Sequence, residues 1–411
     1  MKSLAGQFMK PVTRPAARSA AASNDKPFDR RTTMTAPLDI LVVAQTPPPV
    51  HGQAVMTQYL LDGRYTRIRL HYVRMAFSDS IDEVGAFKWR KLGHLAATIL
   101  RVAWARVTTG ARVLYYPPAG PKRNAFYRDA ALLVATRWMF RKTVFHFYAG
   151  GICDLRGQLP SWARVFYRLA YHSHDLGLAL YDDGLRDPRA LEAKRALVIP
   201  CATPDEARDI PPPADGHEAS GEPPPATRLV TFLAMLSEEK GVLVFLDACA
   251  EVRRRGRDLK PVLVGWPEST EFERRLSRRI DELGLTGVVE RHGKTVGREK
   301  HAIYQRTHVF CYPSFYPSEG SPVVLLEAMQ FGLPVVATRW RGCADSVADG
   351  VTGFLVEPCD AGAVAAKLEL LLADEPLRRR MAVAARRRYE RQFTIEAFRS
   401  RIEDALAGLA D

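Results

Sequence analysis

The run "SEGSPVVLLEAMQFGLPVVAT", residues 318–338, sets two carboxylates eight positions apart. Glu319 stands on a Gly-Ser-Pro turn, and Glu327 lies in the helical pattern that the turn feeds. Proline is favoured at the first helical position, so Pro322 marks the helix start. The first-turn amides around Gly320, Ser321 and Val323, with the helix dipole, form a site for an anion or a hydroxyl. Carboxylates are strong acceptors for the hydroxyl donors of a sugar, and two at different depths could grip two polyols, such as a ribose and a hexose. Lys240, in "LSEEKG", occupies a strand-to-helix turn where an ammonium suits a diphosphate. Gly265, in "LVGW", and Gly52, in "PPPVHGQ", permit close approach of a ligand to the backbone. His146 ends a strand-like run just before Gly150 and Gly151. Each has a blander counterpart: Glu319 as a helix cap, Glu327 and Lys240 as solvated charges, His146 as a structural imidazole. "PPPVHGQ" is not a G-x-G-x-x-G, so spacing alone gives little support to a dinucleotide site.

The elements that must position these residues alternate. Strand-like runs "LDILVVA", "VLYYP", "KTVFHFYA", "LGLALYD" and "ALVIP" are separated by helical patterns such as "SWARVFYRLAYHS". That alternation predicts a parallel, doubly wound sheet. The rhythm breaks in the Pro-, Gly- and acid-rich stretch before Arg228, which reads as a linker or exposed loop. It restarts with "RLVTFLAML", "KPVLVGW", "VVERHG", "HVFCYPS", "LPVVAT" and "TGFLVE". The predicted organisation is a disordered extension over 1–36, a Rossmann-like domain over 37–199 and a Pro-rich linker over 200–227. A second Rossmann-like domain follows over 228–393, then a C-terminal helix over 394–411 that could cross back to the first domain. Two α/β sheets joined in this way present the ends of their strands to a shared cleft.

Composition adds bounds. At 411 residues, 47% hydrophobic and 26% charged, the chain is globular and long enough for two domains. Its longest apolar runs, "LAATILRVAW" and "ALLVATRWMF", are interrupted by Arg101 and Arg137 and are too short to span a bilayer. Six cysteines without a C-x-x-C pair read as reduced thiols in a cytosolic protein. The +13 net charge is uneven: residues 1–200 hold 30 Lys and Arg against 14 Asp and Glu, and the remainder 29 against 32. The basic half could face nucleic acid or an anionic lipid surface, or reflect an Arg-rich composition without function. No interleaved basic and aromatic nucleic-acid motif is found. The first 35 residues lack the apolar core of a secretory signal, and Met34 is an alternative start.

As a set, "LSEEKGV", "VGW", "YPS", "SEGSPVVLLEAMQFGLPVVAT" and "DGVTGFLVEP" resemble, in order and spacing, the retaining nucleotide-sugar-dependent glycosyltransferases of the glycogen synthase and sucrose synthase type. These are family four, or group one, with the GT-B fold. The likeness runs from about Arg228 to Phe393, while "TPPPVHGQAVMT" and "HFYAGG" carry a looser one, toward enzymes of bacterial surface polysaccharide synthesis. The resemblance implies that Lys240 neutralises the donor diphosphate and that Glu327 binds the nucleotide ribose. It gives Glu319, with Gly320, Ser321, Pro322 and Val323, to the donor sugar. Gly52 and Gly265 would line the donor, and His146 would sit beside the anomeric carbon. It further implies transfer from a UDP- or GDP-sugar to a glycan or lipid-linked acceptor, with retention and without metal or cofactor, in the cytoplasm or at the inner membrane face. "FKWRKLGHLAATILRVAWARV" could be an amphipathic helix for that face, or a helix of the sheet packing. Three positions depart from the pattern. Met235 replaces a phosphate-binding arginine, with Lys294, Arg339 and Arg341 as candidate substitutes. Ser321-Pro322 replaces Phe-Gly, and Cys201-Ala202 replaces Asn-Gly. An inactive nucleotide-sugar sensor is therefore the alternative reading.

Overall fold

The computed structural model describes residues 36–75, 89–209 and 227–410. The expected 1–36 extension and most of the Pro-rich linker lie outside these residues. Within 37–411 the chain builds two lobes, each a six-stranded, all-parallel sheet between helices.

In the first lobe the strands are β1 (Leu38–Ala44), β2 (Ile68–Arg74), β3 (Val113–Tyr116), β4 (Lys142–Phe147), β5 (Leu176–Ala179) and β6 (Arg195–Val198). Their order is β2-β1-β3-β4-β5-β6. The helices are α1 (Gly52–Leu61), α2 (Trp89–Thr109), α3 (Arg123–Thr136), α4 (Ile152–Gln158), α5 (Ser161–Tyr171) and α6 (Arg186–Ala190). Both faces of β1 are buried. Ile40, Val42 and Ala44 belong to the core that includes Met56 and Leu60 of α1. Leu41 and Val43 belong to a separate core with Val102, Phe126, Leu133 and Tyr167 of α2, α3 and α5. Burial on both faces is why the strands read as unbroken apolar runs. The exception is the edge strand β2, whose polar Arg69, His71 and Arg74 hide it from that reading.

In the second lobe the strands are β7 (Arg228–Leu233), β8 (Leu259–Val264), β9 (Glu290–His292), β10 (Val309–Tyr312), β11 (Val335–Thr338) and β12 (Gly353–Val356), ordered β12-β11-β10-β7-β8-β9. Its helices are α7 (Val242–Arg254), α8 (Thr270–Glu282), α9 (Gly297–Arg306), α10 (Val323–Gln330), α11 (Arg341–Ser346), α12 (Ala361–Ala373), α13 (Glu375–Gln392) and α14 (Ile395–Ala407). The strand order reverses between β7 and β10 in this lobe and between β1 and β3 in the first. Connections leave those seams to opposite sides, opening a crevice at the strand ends.

The chain crosses between lobes twice, and the crossings are tied together. Thr203 donates its amide to the Phe393 carbonyl at 3.0 Å, and the Tyr389 hydroxyl donates to the Thr203 carbonyl at 2.9 Å. Nearby, both carboxylate oxygens of Asp205 accept from Arg386 at 2.7 Å. Beyond Thr394, α14 returns to the first lobe. Its Glu403 accepts from the Thr66 and Arg67 amides at 2.7 and 2.8 Å, and Arg399 donates to the Tyr59 carbonyl at 2.9 Å. Lys142 closes the contact by donating to the Leu409 carbonyl at 2.7 Å. All six cysteines are free thiols, and only Cys359 is exposed. Among the described residues, no helix is long and apolar enough to cross a membrane.

Candidate functional site

The two loops at the second lobe's seam carry the residues singled out by sequence. Lys240 lies between β7 and α7, and Glu319 lies between β10 and α10. Gly241 brings the loops together. It has φ +82°, and a Cβ there would stand 2.1 Å from the Pro313 carbonyl oxygen. Only glycine permits both.

Oε2 of Glu319 accepts from Lys240 Nζ at 2.8 Å, Ser314 Oγ at 2.7 Å and the Tyr312 hydroxyl at 3.0 Å. All three donors share that one oxygen, and Oε1 carries none of these bonds. Glu319 is 6% exposed. The Lys240 ammonium also lies 4.4 Å from the Tyr316 ring centroid, within cation–π range. Glu327, one turn into α10, accepts from Lys300 Nζ at 2.7 Å through Oε1 and from the Tyr304 hydroxyl at 2.8 Å through Oε2. Lys300 and Tyr304, one turn apart on α9, are site residues that the sequence reading missed. Their i, i+4 spacing was visible, but not which carboxylate they would meet.

The first lobe meets this rim at one point. A Cβ on Gly320 would lie 3.0 Å from the Tyr148 carbonyl oxygen, and one on Gly342 would lie 1.6 Å from the Gly320 carbonyl oxygen. Close by, the Asp182 amide donates to Asp345 at 2.7 Å, and Arg341 Nη1 lies 3.4 Å from the Tyr181 hydroxyl. Arg341 adopts φ +43°, a strained conformation for a side chain of its size. Four buried polar atoms around this junction lack a hydrogen-bond partner: His146 Nε2, Tyr148 Oη, Ser321 Oγ and Arg341 Nε. Buried polar groups are nearly always paired, so a cluster of such atoms where two lobes meet marks a place for a polar ligand.

His146 is fully buried. Its Nδ1 lies 2.6 Å from the Tyr115 hydroxyl, and its ring lies 4.3 Å from that of Tyr148. Burial pushes its pKa down to about 3, so the ring is neutral. Gly52 opens α1 with nothing within 4 Å of a Cβ placed there, so the space above it is open. Gln53 beside it donates to the Pro117 carbonyl at 3.2 Å, bridging the β1 and β3 loops of the first lobe's seam. Gly265 has a different reason to be glycine. At φ +138° its Cβ would stand 1.8 Å from the Ala234 carbonyl oxygen, so the chain itself makes the close approach.

Met235 is 37% exposed at the end of β7. Of its candidate substitutes, Arg339 pairs with Asp349 at 2.7 Å, Lys294 lies over the Trp266 ring at 5.3 Å, and Arg341 turns to Tyr181.

Residues 217–388 match the family model described as glycosyl transferases group 1. A glycosyltransferase named for colanic acid biosynthesis, WcaL of Salmonella typhimurium, is 32% identical over 179 residues, covering 42% of this chain and 43% of that protein. D-inositol 3-phosphate glycosyltransferase of Corynebacterium diphtheriae is 36% identical over 165 residues, 39% of this chain and 38% of that one. The chain thus spans less than half the length of these curated relatives. Among solved structures, HepE of Anabaena in complex with UDP superposes with a TM-score of 0.67 at 19% identity, covering 90% of this chain and all of the other. Sucrose-phosphate synthase of Thermosynechococcus elongatus superposes with a TM-score of 0.64 at 18% identity, covering 90% and 99%. The fold is GT-B, and residues 217–388 of this chain are similar to the glycosyl transferases group 1 family.

Proposed function

We propose that this chain is a glycosyltransferase that moves a hexosyl group from a UDP- or GDP-linked donor to a glycan or lipid-linked acceptor, with retention at the anomeric carbon. The observation that carries this reading is the Lys240–Glu319 contact at 2.8 Å on the β7–β10 seam, beside the cluster of unpaired polar atoms at the lobe junction. Lys240 and the first-turn amides of α10 neutralise the diphosphate as the C1–O bond breaks, as oxyanion-hole donors stabilise a developing charge. Lys240 turns from Glu319 to the phosphates, and Glu319 is released to accept from sugar hydroxyls. Glu327, oriented by Lys300 and Tyr304, accepts from the ribose. Gly52 lets the β1 loop approach the leaving phosphate. His146 stays neutral and, with Tyr115 donating to Nδ1, offers an Nε2–H to the sugar beside the reacting carbon. The acceptor attacks from the face the diphosphate leaves, with the diphosphate as base. In this reading protein groups supply the positive charge without a metal, and the enzyme works in the cytoplasm. The relatives named for polysaccharide synthesis support the substrate class.

The reading is tested by screening nucleotide sugars for thermal stabilisation, then following the anomeric proton of the product by NMR. Expected are one stabilising donor and a product of unchanged configuration; an inverted product refutes retention. Met235, which leaves a phosphate-arginine position uncharged, favours a second reading as a nucleotide-sugar sensor. Tight donor binding with no turnover, by hydrolysis or transfer, would select it.

A further inference from the structure

Arg341 opens α11 at φ +43°, in the left-handed region where glycine is at ease and an arginine is not. Strain of this kind persists only where the surroundings hold a residue in place, and it clusters at ligand sites. An ion pair is not what holds Arg341: among the described residues, no carboxylate pairs with its guanidinium. The acidic side chains around it are engaged elsewhere. Asp187 accepts from the Gly151 and Cys153 amides at 2.8 and 2.7 Å, and Asp345 accepts from the Asp182 amide at 2.7 Å. The contacts that Arg341 does make are neutral. Nη1 lies 3.4 Å from the Tyr181 hydroxyl and 3.3 Å from the place a Cβ on Gly150 would take, and Cζ lies 5.6 Å from the Trp340 ring centroid. Nε is buried without an acceptor. A guanidinium is a donor five times over and never an acceptor, and it keeps its charge at any working pH. Half-buried without a counter-ion, this one is a site that an anion would complete.

The other unpaired atoms of the junction narrow the chemistry. His146 Nε2, Ser321 Oγ and Tyr148 Oη can each donate a hydrogen bond. Four unused donors, one of them cationic, suit a ligand group that only accepts. The hydroxyls of a neutral sugar bring donors of their own, which call for acceptors such as Glu319. The diphosphate is the poorer match. Lys240 stands on the second lobe with Glu319 and Tyr316, whereas Arg341 meets the first lobe at Gly150 and Tyr181. With Nη1 held by Tyr181, the Nε–Nη2 edge is left over, and that edge fits a carboxylate through two parallel N–H bonds. We propose that Arg341 is a specificity-determining residue that receives the carboxylate of a hexuronosyl donor, so that the transferred sugar is itself an anion. This inference rests on the glycosyltransferase reading and narrows its substrate class.

Calorimetric titration of the full chain tests it. The probes are UDP and GDP, UDP-glucose against UDP-glucuronate, and GDP-mannose against GDP-mannuronate. The wild type should bind one uronate donor at least about tenfold more tightly than its neutral counterpart, because a site built for a polar group rejects the analogue lacking it. Arg341→Gly should erase that preference, while affinity for the bare diphosphate changes by less than about threefold. Glycine accepts the backbone of position 341, so the melting temperature of this variant should hold or rise. Arg341→Lys keeps the charge without the fork and should retain only part of the preference. Equal binding of the two donors by the wild type, or a preference that survives Arg341→Gly, overturns the proposal. So does an equal loss of affinity for UDP or GDP alone, which would make Arg341 a phosphate ligand. A melting temperature several degrees lower in Arg341→Gly overturns it too, by assigning the arginine to the fold. If none of these nucleotides binds the wild type, the glycosyltransferase reading falls as well. If bare nucleotide and neutral donor bind without a uronate preference, that reading stands and this inference alone falls.

Discussion

Lys240 and Glu319, 79 positions apart, hold each other at 2.8 Å across the seam between β7 and β10. Each is the other's main charge partner inside the rim, with side chains 17% and 7% exposed. Removing one member of such a pair leaves a charge stranded in low dielectric, at a cost on the order of 3 kcal/mol. The expected result is that Lys240→Met and Glu319→Gln each lower the melting temperature, and that the double variant loses less than the two losses added. A double-mutant cycle in urea unfolding measures this, and strict additivity would dissolve the coupling. In the proposed reaction Lys240→Met also lowers turnover by roughly 100-fold or more.

Glu327 serves the ribose in this reading, and Lys300 serves Glu327. Glu327→Gln and Lys300→Met should therefore raise the donor's KM by about tenfold while changing kcat by less than about threefold, as loss of uniform binding does. The double variant should match the worse single one. A fall in kcat at unchanged KM would move Glu327 into the chemical step.

Three glycines separate folding from ligand approach. Gly241→Ala meets a backbone carbonyl and an unfavourable φ, so it should cost about 2 kcal/mol and lower the melting temperature by roughly 4–8 °C. Gly342→Ala, aimed at the Gly320 carbonyl, should cost at least as much. Gly52→Ala has open space and a helical position, so stability should hold within about 0.5 kcal/mol while donor turnover falls. Calorimetry of the three variants decides. A destabilised Gly52→Ala would mean that the glycine serves the fold.

The buried imidazoles make stability depend on acidity in a defined direction. Burial lowers His146 to about 3 and His174 to about 4, against 6.5 when unfolded. Between those values the unfolded chain binds protons that the folded chain refuses. Stability should therefore be full above pH 6.5 and fall as the pH drops through 6.5 toward 4. Glu290 adds to the loss at still lower pH. Arg306 first, then His292 and Lys260, hold it at about 2, so its contribution fades as the pH falls below 4.5. His146→Phe should flatten the slope between pH 6.5 and 4. An unchanged slope would show that His146 titrates normally.

Fold class and the main site loops were legible because parallel strands buried on both faces advertise themselves. The Gly-Ser-Pro turn and "LSEEKG" also stand where strand runs end. β2 was not legible: an edge strand needs only part of its surface covered, and its arginines and histidine mask the period. The Lys300–Tyr304 brace was not legible because its partner lies on another helix. That Gly265 must be glycine for the approach of the chain's own Ala234 carbonyl was not legible, because sequence cannot tell that approach from a ligand's.

The paired crossings at Thr203 and Phe393 decide how the lobes can move. One covalent tether would act as a swivel, leaving the halves free to rotate about it. Two tethers laced side by side work like the leaves of a door hinge, yielding to a swing about one axis and opposing torsion. The two lobes can therefore separate and return to the same alignment, because sideways slippage would have to tear the lacing.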